Sequence, residues 1–364
     1  MKNSKPASTF TDPFYTYNIF YKSKNFNEWE KNNTISFKNY RKNWTDWPNN
    51  SHVDKFPLHL NIEITTICNL ACTFCYHSDL KPEEKKHMSF DLFKKIIDEA
   101  KLFKLPSVNL NGLGESMTHP RLIDMIKYCK ESGIEDIMFH TNGTVMTEKQ
   151  AKGIVEAGLT QIIFSLDTTN KKNYEEMRVG ANFEEVNANV EKFINIRNNL
   201  KSKLPVVRVT MVLTASTIDQ VQDFKSKWKD KADHITGQDL IYSFDAEGTA
   251  DQNSGWKSKE KSYYKIDKEK IIEEEKKNKQ FFRCAYLYQS LKIHPDGKVD
   301  PCTPRNAPTV GDVKDGLSNV WLGEKITNMR RMHDMGKWYE VDSCKKCDHP
   351  YIAIFKKYNK IIDI

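Results

Sequence analysis

The sequence has no apolar run approaching the ~18–20 residues that a membrane-spanning helix needs. Its start, Met1-Lys2-Asn3-Ser4-Lys5-Pro6, has no signal-peptide core. A cytoplasmic setting is therefore expected, and disulfides are rare there. No Gly-x-Gly-x-x-Gly follows the first strand-like segment, so a dinucleotide-binding domain is not indicated. No compact Lys/Arg stripe with interleaved aromatics stands out, so no nucleic-acid partner is expected. The net charge of +7 comes from 56 basic and 49 acidic residues that are interspersed, which describes a solvated surface with a mild basic bias.

What the chain does have is cysteine, eight in 364 residues. In a reducing compartment these read as metal ligands or free thiols. Three lie in the stretch Cys68-Asn69-Leu70-Ala71-Cys72-Thr73-Phe74-Cys75-Tyr76, spaced C-x3-C-x2-C, just after the apolar run Leu58 to Ile64. Thiolates suit iron–sulfur clusters and zinc. A structural zinc site takes four ligands in a closed tetrahedron. Three thiolates on one short loop suit a cubane cluster with three irons held and the fourth open to a substrate or cofactor. A disulfide knot and a zinc loop are the plain alternatives.

Taken in order, residues 1–55 form an aromatic-rich arm (Phe26, Trp29, Phe37, Tyr40, Trp44 and Trp47 among others). Disordered tails are poor in aromatics, so the arm is expected to pack on the main domain, as cladding or as a lid at its mouth. Residues 56–250 alternate strand-like and helix-like segments. Strands are expected at 58–65, 108–111, 136–140, 161–166, 206–213 and 240–244. Helices are expected at 89–103, 119–132, 147–157, 183–200 and 217–229, with Ser89 and Thr147 as N-caps. Six such units imply a parallel sheet with right-handed crossovers. A full eightfold barrel takes roughly 250 residues, so the fold class is α/β, a partial (β/α)6 TIM-like barrel. Residues 251–280 read as a charged linker, with an exposed helix at 267–277. Residues 281–350 form a small cysteine-bearing domain with a hairpin around Pro295-Asp296-Gly297 and a helix at 320–333, and 351–364 a C-terminal helix or tail.

The cysteine spacing, with Phe74 as the aromatic before the third cysteine, resembles the radical S-adenosylmethionine (radical SAM) superfamily. That resemblance implies the partial barrel, a 4Fe–4S cluster on Cys68, Cys72 and Cys75, and S-adenosylmethionine on the open iron. It also implies a flavodoxin- or ferredoxin-type electron donor. Active sites of α/β barrels form at the C-terminal strand ends, where the cysteine loop and several polar groups fall. Gly112, Gly114 and Glu115 resemble the family's Gly-Gly-Glu motif, interrupted here by Leu113; the glycines would admit close backbone approach and Glu115 would receive the cofactor ammonium. Ser165, Asp167 and Arg178 resemble its ribose- and methionine-binding residues, with Arg178 pairing the cofactor carboxylate. Tyr76 takes the place where family backbone meets adenine, and Asn142 follows the third strand. The plain readings are an N-cap for Ser165 and Asp167 and a turn for Asn142-Gly143.

A second set, Cys284, Cys302, Cys344 and Cys347, accompanies Ile293-His294-Pro295-Asp296-Gly297 and Val310-Gly311-Asp312, which resemble the SPASM/twitch auxiliary-cluster domains. Four cysteines suffice for one fully ligated 4Fe–4S cluster, as in the shorter twitch version. Structural zinc is the alternative. Cys129, inside an expected helix, reads as an inert buried thiol.

The resemblance implies an enzyme that reductively cleaves S-adenosylmethionine to a 5′-deoxyadenosyl radical and abstracts a substrate hydrogen. Its twitch-type members include an enzyme that oxidises a secondary alcohol of an aminocyclitol, so the expected reaction is dehydrogenase-like, a two-electron oxidation of a sugar or cyclitol. A peptide- or protein-modifying maturase is the alternative, and a non-enzymatic iron–sulfur regulator a remote one. No general base is assigned; Asp245, Glu247, His294, Asp296 and Arg305 are polar candidates near the two cysteine sets.

Overall fold

The computed structural model describes residues 17–241, 258–277 and 282–359. Among them, ten strands form one sheet: β1 (Tyr17–Lys22), β2 (His59–Ile62), β3 (Ser107–Asn109), β4 (Asp136–Thr141), β5 (Gln161–Ser165), β6 (Val206–Leu213), β7 (His234–Asp239), β8 (Ser290–Ile293), β9 (Lys298–Asp300) and β10 (Gly311–Asp312). The order is β1-β7-β6-β5-β4-β3-β2-β8-β9-β10. Strands β2 to β7 are parallel, as a partial (β/α)6 barrel requires.

One face of each barrel strand is apolar and packs against the helices: Leu60, Val108, Ile137, Ile162, Val207 and Ile235 are fully buried. The opposite face carries Asn61, Asn109, His140, Ser165, Arg208, Thr210 and Thr236 beside the apolar Met138, Ile163 and Val212, so the lumen is mainly polar. Asn109 Nδ2 donates to Asn61 Oδ1 at 3.3 Å, Arg208 Nε to Thr236 Oγ1 at 2.8 Å, and Thr236 Oγ1 to Thr210 Oγ1 at 3.1 Å. The outer helices start where their caps predict. Ser89 Oγ accepts from Leu92 N ahead of Phe90–Leu102, and Thr147 and Gln150 close a reciprocal capping box ahead of Glu148–Glu156.

Three sequence expectations change. The sixth barrel strand is His234–Asp239, not 240–244: Leu240 and Ile241 lie outside it and 242–244 fall outside the described residues. The expected helix over 320–333 is two helices, Leu317–Trp321 and Glu324–Asp334, separated at Gly323, whose Cβ would stand 3.1 Å from the Asn319 and Val320 carbonyl oxygens. The charged helix Lys268–Lys277 is not wholly exposed. Ile271 and Glu275 are buried, and Glu275 accepts from Phe282 N, Trp338 Nε1 and Tyr358 OH.

The described part of the N-terminal arm forms β1 and two helices, Lys24–Asn32 and Ile35–Asn49. Its aromatics make an edge-to-face series from Phe26 through Trp29, Phe37, Tyr40 and Trp44 to His59. The helices meet the first residues of strands. Phe26 packs on His234, Tyr40 OH donates to Asp136 Oδ2 at 3.4 Å, and Asn25 Nδ2 donates to Asp233 Oδ1 at 3.0 Å. These helices therefore close the barrel end opposite the cysteine loop, and the lid alternative does not apply to them.

The small domain joins the barrel through its backbone. Strand β8 pairs in parallel with β2, His59 opposite Ser290 through Ile62 opposite Ile293. The antiparallel hairpin β8–β9 then carries Cys302 beside the barrel mouth.

Candidate functional site

The loop holding Cys68, Cys72 and Cys75 runs from the end of β2 and is strapped to the segment that carries Arg178. Ala71 N donates to Val179 O at 3.0 Å and Thr73 N to Met177 O at 2.9 Å. All three cysteines are free and half-buried; the Cys68 thiolate raises the proton affinity of Cys72, and the Cys72 and Cys68 thiolates raise that of Cys75. Burial pushes all three thiols up, Cys75 to about 12. Backbone N–H groups partly offset this, from Leu70 and Asn69 toward Cys68 and from His77 toward Cys75. Three thiols facing one another where a lone thiolate is disfavoured fit one cationic cluster that supplies the missing positive charge.

Arg178 lies beside Cys72 and packs on Phe74, its guanidinium carbon 5.8 Å from the ring centre. Its Nε donates to Asp167 Oδ2 at 2.6 Å. Asp167 is fully buried with a positive φ of 59°, and its Oδ1 accepts from Val212 N at 3.1 Å. Both carboxylate oxygens thus point into the protein. The structure adds a role that the sequence did not show: Asp167 holds the Arg178 guanidinium by its Nε. Ser165 ends β5 on the lumen face, opposite Thr210.

Glu115 is also tied inward. Oε1 accepts from Met117 N at 3.0 Å and Thr141 Oγ1 at 2.8 Å, and Oε2 from Asn142 N at 2.7 Å. Burial raises its pKa, against those three hydrogen bonds. Three of roughly four acceptor positions are used, leaving room for one further donor. Asn142 in turn donates Nδ2 to Asn69 Oδ1 at 3.0 Å, binding the third strand end to the cysteine loop. The two glycines answer to the chain itself: a Cβ on Gly112 would meet Glu63 Cγ at 2.3 Å, and one on Gly114 would meet Thr65 O at 2.5 Å. They let the motif loop lie against the end of β2.

Between the two cysteine sets stands a charged cluster that sequence reading missed in large part. Glu63, buried one residue past β2, accepts from Leu113 N at 2.7 Å and lies 3.0 Å from His294 Nδ1 and 4.0 Å from Lys292 Nζ. His294 Nε2 lies 2.5 Å from Asp300 Oδ2. Burial works against the imidazolium, but hydrogen bonds to Asp300 and Glu63 outweigh it and lift His294 to about 9. Arg305 Nη1 donates to Asp79 Oδ2 at 2.9 Å and its guanidinium covers Tyr76, 4.8 Å from the ring centre. Of the polar candidates, His294 and Arg305 sit here, Asp296 is exposed in the hairpin turn, and Asp245 and Glu247 lie outside the described residues. The only sequence signal for Glu63 was a single charge in an otherwise apolar-alternating strand.

The second set converges. Cys284, Cys302, Cys344 and Cys347 line one cavity with Tyr286, Pro304 and Pro350. Burial and then the neighbouring thiolates raise Cys284 and Cys302, and Cys344 is pushed up to about 12. Among the described residues, no three His, Cys, Asp or Glu side chains are grouped as they would be around a single ion. Four thiols around one cavity are the donor set of a fully ligated 4Fe–4S cluster. Cys129 is fully buried in its helix and takes no part.

A partial barrel with an open three-thiol loop at its mouth, followed by a closed four-thiol domain, defines a two-site iron–sulfur protein. The chain carries a radical SAM domain, matched to the family "Radical SAM superfamily" over residues 62–226, and then a SPASM domain, matched to "Iron-sulfur cluster-binding domain" over 284–348. These two domains imply S-adenosylmethionine, its 4Fe–4S cluster and an auxiliary cluster. Curated relatives include the tungsten-containing aldehyde ferredoxin oxidoreductase cofactor-modifying protein of Pyrococcus furiosus (31% identical, 45% of this chain and 46% of that protein) and a probable GTP 3′,8-cyclase of Methanococcus maripaludis (32%, 46% and 54%). The chain spans about half the length of the curated relatives it matches. Among solved structures it shares its fold with BtrN in complex with AdoMet and 2-DOIA (18% identical, TM-score 0.51, 82% of this chain and 94% of that one). It also shares it with SuiB of Streptococcus suis bound to S-adenosylmethionine (16%, 0.57, 87% and 76%). No helix among the described residues is long and apolar enough to cross a membrane.

Proposed function

We propose that the protein is a radical SAM oxidoreductase that removes two electrons from an alcohol of a sugar or cyclitol, one auxiliary cluster taking the second. When bound, the loop cluster and S-adenosylmethionine supply a 5′-deoxyadenosyl radical that abstracts hydrogen. The chain's own residues bind and orient. Arg178, fixed by Asp167, takes the cofactor carboxylate; Glu115 has one acceptor position for its ammonium; Asn142 holds the cysteine loop in register. A flavodoxin- or ferredoxin-type protein would deliver the first electron.

The observation that carries the substrate class is the polar lumen. Amide and hydroxyl side chains on β2, β3, β5, β6 and β7 face inward, a lining suited to a polyhydroxylated molecule. Arg208 adds positive charge, and enclosure and then that guanidinium push His140 down to about 3, leaving it neutral. The eight cysteines divide into three, four and the inert Cys129, so cysteine can fully ligate one auxiliary cluster, as a single electron acceptor needs. A peptide substrate is the second reading, favoured by the fold shared with SuiB, one of whose structures holds the precursor peptide SuiA.

The test is incubation of the anaerobically reconstituted protein with dithionite, S-adenosylmethionine and a panel of cyclitols, sugars and peptides. One 5′-deoxyadenosine per ketone formed supports the reading. Cleavage without any oxidised cyclitol or sugar, but with a modified peptide, moves it to the second; no 5′-deoxyadenosine at all sinks both.

A further inference from the structure

His333 is fully buried on the helix Glu324–Asp334, whose last turn is clamped on several sides. Arg330 Nε donates to Leu287 O at 2.7 Å, and the neighbouring Asp334 accepts from Tyr288 OH at 2.7 Å and Arg283 Nε at 3.0 Å. The imidazole therefore has little freedom, and its two nitrogens meet two different cysteines. Cys284 N donates to His333 Nδ1 at 3.2 Å. His333 Nε2 lies 3.4 Å from Cys344 Sγ. A nitrogen that accepts an N–H bond carries no proton, so Nδ1 is bare and the ring proton sits on Nε2. That proton points at the sulfur of a cysteine lining the four-thiol cavity.

We propose that His333 is a positioning residue of the auxiliary site, a neutral imidazole whose Nε2–H donates to the Cys344 thiolate and raises the potential of the cluster held there. The inference rests on the reading of the four thiols as ligands of one iron–sulfur cluster. A hydrogen bond to a ligating sulfur stabilises the more negative, reduced state, so it makes the cluster a better electron acceptor. The Cys284 N–H fixes the tautomer, so one ligand's backbone sets the hydrogen bond received by another ligand's sulfur. The electron acceptor role proposed above requires a bias in this direction.

The test uses full-length protein purified anaerobically in a Cys72→Ala background, where only the auxiliary cluster contributes, and reads its midpoint by EPR-monitored redox titration with iron counted beside it. His333→Leu removes the donor at similar size and is expected to shift the midpoint to more negative potential with four irons retained. His333→Gln restores an N–H donor and is expected to return the midpoint toward that of the parent. Loss of iron in the Leu variant alone also supports the donated bond. An unchanged midpoint in the Leu variant, or equal shifts or equal iron loss in both variants, overturns the proposal. An iron-free Cys72→Ala parent overturns the cluster reading itself, and the role of His333 with it.

Discussion

The two cysteine sites differ in closure more than in chemistry. The loop at the barrel mouth offers three thiols with Arg178 and the Glu115–Asn142 pair around it. The distal cavity offers four thiols and is walled by Tyr286, Pro304 and Pro350. An incomplete donor set beside polar groups suits a cluster that must bind a ligand; a complete set in an apolar wall suits one that only exchanges electrons. The charged bridge Glu63–His294–Asp300, with Arg305 over Tyr76, lies between them and fastens one site to the other.

The difference can be broken most sharply at the loop. Cys72→Ala is expected to abolish 5′-deoxyadenosine formation in the dithionite assay; turnover surviving in that variant would place initiation elsewhere. At the closed site, Cys302→Ala should lower bound iron by about four atoms per chain, one cluster's worth, while uncoupled cofactor cleavage persists. Full iron in that variant would favour a structural-thiol site.

A finer test concerns Arg178. Asp167→Asn keeps the shape but removes the charge that holds the guanidinium. S-adenosylmethionine affinity should fall ~10–100-fold, the usual cost of losing a supporting partner, read by equilibrium binding; an unchanged affinity would mean that Arg178 does not touch the cofactor. The smallest effect is expected at the bridge. His294 has its folded pKa raised to about 9, against about 6.5 when unfolded. Its stabilisation is therefore fully present below about pH 6.5 and lost as pH rises through about 9, at most about 3 kcal/mol. The Tm difference between wild type and His294→Gln should shrink from pH 6 to pH 9.5; a constant difference would show that His294 does not act through its charge.

Local features were readable and distant pairings were not. The cysteine loop, the Ser89 and Thr147 caps and five of the six barrel strands follow from spacing and alternation within a few residues. Strand β7 escaped because His234-Ile235-Thr236-Gly237-Gln238-Asp239 presents polar groups to the lumen and a glycine beside Phe20, which hides the alternation. The parallel pairing of β8 with β2 joins residues some 230 positions apart, and no local pattern announces it. At the site, the motif residues were visible as types but not as partners. Asp167 and Glu115 look like ligand contacts in sequence, yet both oxygens of each also accept from the protein's own donors. His333 left no signal, since a histidine in a helix is ordinary until the fold sets it between two cysteines.

The claim that one cluster is open and the other closed is tested most directly by EPR of the singly occupied proteins, with and without S-adenosylmethionine. The reduced loop cluster, isolated in Cys302→Ala, should change its spectrum when the cofactor is added. The auxiliary cluster, isolated in Cys72→Ala, should not. A cofactor-induced change at the auxiliary cluster, or none at the loop cluster, would contradict the account.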